Sequence, residues 1–206
     1  MNIAVEIVGV TKRYHSRGGI DNVNVVFDNA RLNLLVGPNG SGKTTLLKCI
    51  VGIVRFHGEI RKRHLAIGYA PEEYVLPEFM TIREFLVSVG RYRDRDRASL
   101  PSRIDEQLAY FDLTDDQHKP FIALSNGMKQ KVNLIQAFLN HPKIILLDEP
   151  LKSLDEPSRD RVTTLIRQRA AESLILVSTH YPERFRFRNK RLIRLDNGRL
   201  QSEEDV

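Results

Sequence analysis

At 206 residues the chain is long enough for one domain, or for one domain with a small inserted subdomain. Its 41% hydrophobic and 28% charged residues suit an ordinary soluble globular protein. No apolar run approaches the ~18 residues of a membrane span, and the start MNIAVEIVGVTKRY lacks the pattern of a secretory signal, so the chain is expected to stay in the cytoplasm.

Alternating apolar residues over 3–10 and 23–27 predict strands of a mostly antiparallel edge layer, separated by a turn at Ser16, Arg17, Gly18 and Gly19. Leu32–Val36 then begins a core sheet, to which 65–69, Ile144–Asp148, Leu174–Ser178 and 191–195 add strands. Several of these are apolar almost without a break, as parallel strands covered on both faces should be. Residues 73–124 read instead as helices, at 81–92 and 103–111, joined by charged and Pro-containing loops. The expected fold is therefore α/β: a core with a parallel sheet (1–72 and 125–206), an antiparallel β edge layer and a small helical insert (73–124). The only low-complexity tract is the acidic tail 203–205. Cys49, the single cysteine, is read as inert packing, because one thiol makes neither an internal disulfide nor a metal site.

The net charge of +6 concentrates in two basic clusters, 91–97 and 184–194. The first alternates with aspartates and reads as a solvated face. The second interleaves two phenylalanines, a pattern that suits nucleic acid or anionic lipid, but part of it belongs to the predicted strand 191–195, so nucleic acid is not the expected partner.

The leading motif is GPNGSGKTT: Gly37, Pro38, Asn39, Gly40, Ser41, Gly42, Lys43, Thr44 and Thr45. A strand leads into it and a helical stretch, 44–51, leaves it, which is the setting a phosphate loop requires. Glycines let successive N–H groups turn toward phosphate oxygens, and the helix N-terminus adds partial positive charge. Lys43 adds a full charge, and the Thr44 hydroxyl suits Mg²⁺. Average usage would place this pattern by chance in roughly one chain in a hundred of this length. Alone it says only that a nucleoside triphosphate binds.

Further motifs follow in order. LSNGMKQK (124–131) opens a helix reaching about residue 140, with Ser125 as N-cap and Met128, Val132, Ile135 and Leu139 on one face. Such a capped N-terminus is a second phosphate site or simply a turn before a helix. IILLDEP ends a buried strand in two carboxylates: Asp148, placed to hold Mg²⁺, and Glu149, placed to orient an attacking water. Pro150 has no N–H and stops the ladder. Ser178-Thr179-His180 puts a histidine at the carboxyl end of a core strand, where ligands of open α/β sheets sit; it contacts the γ-phosphate or is merely structural.

The series GPNGSGKTT, YAPEE (69–73), LSNGMKQK, IILLDEP, LKSLD (151–155) and STH resembles the ATP-binding-cassette ATPases over nearly the whole chain. The resemblance implies ATP and Mg²⁺ as cofactors and a head-to-tail dimer, homomeric or with a second ATPase subunit. In that dimer the loop 37–45 of one subunit and Ser125, Asn126, Gly127 and Met128 of the other clasp each nucleotide. It also implies that Tyr14 stacks on adenine, that Asp155 couples the two sites across the dimer, and that Lys43, Glu149 and His180 are catalytic. Thr44, Glu72 and Asp148 would hold the metal. Three departures stand out. Glu72 replaces a glutamine that touches Mg²⁺, Asn126 a glycine and Met128 a glutamine of the signature. The helical insert is also compact.

What the resemblance implies for function is an ATPase subunit, peripheral on the inner face of the cell membrane, that drives export through a separate transmembrane permease subunit. SNGMKQK and YAPEE are similar to ATPase subunits of drug, peptide or antibiotic exporters, and 75–77 with Phe79 and Met80 is the expected docking surface, unless the insert buries it. The alternative is a soluble single-cassette ATPase acting on a cytosolic complex or nucleic acid.

Overall fold

The computed structural model describes residues 4–14, 18–64, 66–93 and 97–206. Ile3, Ser16, Arg17, Leu65 and the middle of the 91–97 cluster, each part of an expectation above, lie outside the described residues. The elements, in chain order, are β1 (Ala4–Arg13), β2 (Gly19–Asp28), β3 (Leu32–Val36), α1 (Lys43–Val51), β4 (His57–Lys62), β5 (Ile67–Ala70), α2 (Ile82–Arg93), α3 (Leu100–Tyr110), α4 (Asn126–Phe138), β6 (Ile144–Asp148), α5 (Glu156–Ala170), β7 (Leu174–Ser178), β8 (Lys190–Asp196) and β9 (Arg199–Asp205).

The apolar runs become the centre of a six-stranded sheet of order β5-β6-β7-β3-β8-β9. Its strands are parallel except for the β8–β9 pair, which is antiparallel. Every residue of β3, β6 and β7 is buried. Alternation along those strands sends Leu34, Ile145, Leu147, Ile175 and Val177 to one apolar cluster, shared with α2 to α5. Leu35, Ile144, Leu146, Leu174 and Leu176 go to the other, shared with α1 and the edge layer. That layer is a separate antiparallel sheet of order β2-β1-β4. Because β3, β5, β6 and β7 run parallel, their carboxyl ends share one edge.

Three elements go beyond the sequence expectation. β4 and β9 are half-exposed strands rich in charge, so they lack the apolar signal of a core strand. The acidic tail is consequently not a low-complexity extension: Glu203 pairs with Arg191 and Asp205 with Arg31 as β9 closes the sheet. The third is α5, whose burial falls on Ser158, Val162, Leu165 and Ile166 only. It starts from Asp155, whose side chain accepts from the Ser158 N–H at 3.1 Å. α2 starts from a reciprocal cap, in which Glu84 accepts from the Thr81 N–H at 2.8 Å while the Thr81 hydroxyl accepts from the Glu84 N–H at 3.2 Å.

α4 is fastened to the strand ends by amides rather than by apolar packing alone. Gln130, Asn133 and Gln136 lie at intervals of three on one helix face. Gln130 donates to the Pro150 carbonyl at 3.1 Å, Asn133 to Pro71 at 2.9 Å and Gln136 to Tyr69 at 2.5 Å. These carbonyls flank Glu149 and Glu72. Replacing Asn133 with leucine keeps the volume and leaves the Pro71 carbonyl without its donor. We expect Asn133→Leu to lose about 1–3 kcal/mol of stability in urea unfolding; an unchanged midpoint would mean water replaces the amide at no cost.

Candidate functional site

The chain leaves β3 at Val36 and turns sharply over the neighbouring strand. Gly37 takes φ 153° and leaves no room for a side chain, since a Cβ there would fall 2.1 Å from the Leu195 carbonyl oxygen. Gly42, at φ 105°, caps α1 against β2, where a Cβ would lie 2.6 Å from Ile20 Cγ2. Between them Asn39, Gly40, Ser41, Gly42, Lys43, Thr44 and Thr45 form the floor of a cleft of about 310 Å³. Its walls bring together Tyr14, Glu72, Asp148, Glu149 and His180. Residues from five separated motifs thus converge on one cleft. Gly37 and Pro38 do not line it; their carbonyls accept from the Lys43 ammonium at 2.8 and 3.1 Å and hold it over the loop.

The charges in the cleft are largely withdrawn from water. Burial lowers the Lys43 pKa, and the nearby Glu149, Asp148 and Glu72 oppose that shift. Burial raises that of Asp148, while hydroxyl bonds from Ser178 and Thr44 lower it. Ser178 satisfies Oδ1, and Oδ2 is buried without a hydrogen-bond partner. Glu149 adopts φ 47°, and its N–H donates to the Ser178 carbonyl at 3.1 Å. Burial pushes its carboxyl up to about 7, against the pull of Lys43 and the His180 N–H. His180 Nε2 lies 3.5 Å from Glu149 Oε1, an oxygen that accepts no hydrogen bond. Burial lowers the His180 pKa as well, so both partners of this contact are biased toward their uncharged forms.

Thr44, with Asp148 Oδ2 unpaired beside it, offers hard oxygen donors that fit Mg²⁺. Among the described residues no three His, Cys, Asp or Glu side chains converge on a metal position. Glu72 lines the same cleft, but its Oε1 accepts from Lys152 Nζ at 2.7 Å. Tyr14 stands half-exposed at the mouth, with Lys12 Nζ 5.0 Å from its ring centroid.

Ser125, Asn126, Gly127, Met128 and Asp155 do not line the cleft. Ser125 caps α4, accepting from the Met128 N–H at 3.2 Å, and Asp155 caps α5. Sequence reasoning passed over Lys152, the Ser178 hydroxyl and the amides of α4. The amides did leave a trace, three carboxamide side chains at one helical spacing. Lys152 left none, for its partner lies 80 residues away.

The ABC transporter family model matches residues 20–152. Among curated relatives, the ABC transporter ATP-binding protein YxlF of Bacillus subtilis is 32% identical over 183 residues, covering 85% of this chain and 62% of the relative. The sulfate/thiosulfate import ATP-binding protein CysA of Bradyrhizobium diazoefficiens is 32% identical over 228 residues, covering 99% of this chain and 65% of that one. The chain thus spans somewhat under two thirds of the length of these relatives. A solved structure, the ATP-binding cassette MJ0796 as a dimeric post-hydrolysis state bound to ADP and Pi, superposes with a TM-score of 0.87 at 25% identity over 98% of both chains. With the phosphate loop, both strand-end carboxylates and three of the six strands of the main sheet inside the matched region, the chain belongs to the ABC transporter family as an ATP-binding cassette.

Proposed function

We propose that this cassette binds Mg·ATP in the cleft and hydrolyses it to energise a transporter whose membrane-spanning part is a separate polypeptide. The observation that carries the reading is the placement of Glu149: a largely buried carboxyl just past the end of β6, beside Asp148 and lining one cleft with the lysine of the phosphate loop. Burial raises its pKa, which suits a base that exchanges protons at physiological pH. Phosphates would rest on the N–H groups of the loop and on Lys43. Mg²⁺ held at Thr44 and Asp148 would neutralise charge on the β- and γ-phosphates. Ionised Glu149 accepts a proton from water as that water attacks the γ-phosphorus and the bond to the ADP oxygen breaks. His180, uncharged, donates to the γ-phosphate and fixes its orientation.

A head-to-tail dimer, of two copies or with a second ATPase subunit, accounts for the segments that do not line the cleft. Ser125, Asn126, Gly127 and Met128 are then free to close over the ATP of the opposite subunit, with Asp155 beside them. For a permease partner, the supporting surface lies beyond the Glu72 loop in the helical segment 73–124. Val75 is 99%, Phe79 84% and Ile122 60% exposed, whereas Leu76 packs against the core. Exposed apolar groups gathered this way favour a protein partner. No helix among the described residues is long and apolar enough to cross a membrane, which suits a peripheral subunit on the inner face. The direction, export, rests on the resemblance of YAPEE and SNGMKQK alone.

Glu149→Gln should bind ATP, turn over at least about 100-fold more slowly in phosphate release, and elute as a dimer with ATP present. A monomer at saturating ATP would overturn the sandwich. Lys43→Ala removes a charge-assisted contact and should weaken ATP binding about 10–100-fold in calorimetry; undiminished affinity would mean that the phosphates sit elsewhere.

Glu149 also predicts a pH dependence. Its folded pKa of about 7 stands above the ordinary 4.5, so the unfolded chain loses this proton first as pH rises. Stability from the neutral carboxyl is full below pH 4.5 and is lost as pH climbs to about 7. Nucleotide-free Glu149→Gln lacks that loss. Its stability relative to the parent should increase across this window by up to about 3 kcal/mol in urea melts; parallel curves would show that the carboxyl is ionised throughout.

A further inference from the structure

The ion pair between Glu72 and Lys152 joins the loop after β5 to the loop after β6 at the rim of the nucleotide cleft. Glu72 is the third carboxyl group lining that cleft, with Asp148 and Glu149, and Lys43 is the only lysine or arginine among its described lining residues. Carboxyl groups thus outnumber cationic side chains among the described residues around the phosphate loop. Lys152 sits outside the lining and reaches in: its Nζ is 2.7 Å from Glu72 Oε1, while its own N–H donates to the Glu149 carbonyl at 3.1 Å. One residue is therefore tied to both loops that carry cleft carboxylates. The Lys152 side chain is 60% exposed and that of Glu72 32%. A pair so exposed adds little to folding stability, so its consequence is to be sought in what the cleft binds.

Building on the reading of the cleft as a Mg·ATP site, we propose that Lys152 is a positioning residue that neutralises Glu72 and holds its carboxylate at the rim, so that the two act as one unit in setting nucleotide affinity. Without the lysine, the Glu72 carboxylate is free to turn toward the phosphates and repel them. The repulsion is stronger for ATP without metal, because nothing then offsets the phosphate charge. Arginine at position 152 would preserve the pairing, and alanine would not.

The test is a double-mutant cycle read as nucleotide dissociation constants by calorimetry, with Mg·ATP and with ATP in EDTA. Lys152→Ala should weaken Mg·ATP binding roughly 5–10-fold, and metal-free ATP more, when Glu72 is present. In the E72Q background the same substitution should change affinity less than about two-fold, and Lys152→Arg should retain the parent affinity. Apo melting temperatures of all variants should stay close to the parent, which separates the charge effect from misfolding. An equal loss from Lys152→Ala in both backgrounds, or no loss in either, overturns the inference. Parent protein that binds no Mg·ATP, or binds it undiminished after Lys43→Ala, overturns instead the reading of the cleft on which this rests.

Discussion

The structure is organised around the difficulty of keeping two adjacent carboxylates, Asp148 and Glu149, out of water next to a single ammonium. Burying a carboxylate is costly unless hydrogen bonds or an opposite charge offset the loss of hydration. Here the compensation is partial: Asp148 has the Ser178 and Thr44 hydroxyls, Glu149 has a backbone N–H, and one oxygen of each side chain is left unpaired. A cleft left that way is poised to accept a cation, a phosphate or a water. It persists because β6 is buried along its full length between β5 and β7, which denies the strand end any freedom to relax toward solvent. The left-handed backbone of Glu149, held by two bonds to Ser178, is the local expression of that constraint.

α4 extends the constraint to the rest of the molecule. Its N-terminus carries the segment 125–128, which does not line the cleft, and its buried face holds the carbonyls of Tyr69, Pro71 and Pro150. At the same end Gly127 passes close to the loop after β6, where a Cβ would lie 3.0 Å from the Ser153 carbonyl oxygen. A displacement of this helix along its axis would strain hydrogen bonds to both loops that position cleft carboxylates. The position of the signature segment and the geometry of the cleft are therefore linked by side-chain amides of α4 bonded to loop carbonyls.

Legibility in the sequence follows from whether the responsible physics is local. β3, β6 and β7 are apolar almost without a break, Asn33 apart, because both their faces are covered, and their bounds could be read directly. The phosphate loop, the strand-end carboxylates and His180 are each tied to the end of such a strand, so their convergence could be read as well. β9 could not: an edge strand tolerates charge, and its acids look like a solvated tail until Arg191 and Arg31 are brought beside them by the sheet. α5 was hidden by its own four arginines and two acids, Glu156 and Asp160, which leave few apolar positions to reveal a period. Lys152 and Glu72 form a contact that only the parallel pairing of β5 with β6 creates.

The same reasoning decides what the chain's positive charge is for. The basic cluster 184–194, with its two phenylalanines, has the composition of a nucleic-acid surface, yet both phenylalanines and two of its arginines are committed within the fold. Phe185 is fully buried, and Phe187 lies under the Arg167 guanidinium, 5.4 Å from its ring centroid. Arg184 is bound to Glu156, and Arg191 to Glu203 and the Val26 carbonyl. Aromatic rings placed to stack on bases would have to be exposed, and these are not. Three of the large apolar groups that face water, Val75, Phe79 and Ile122, lie instead around the segment leading away from Glu72. The Ile122 N–H donates to the Glu78 carbonyl at 3.0 Å, which ties two parts of that surface together. The proposed protein partner, docking there, would meet apolar groups a few residues from the cleft carboxylate Glu72 and would be held by contact area rather than by charge.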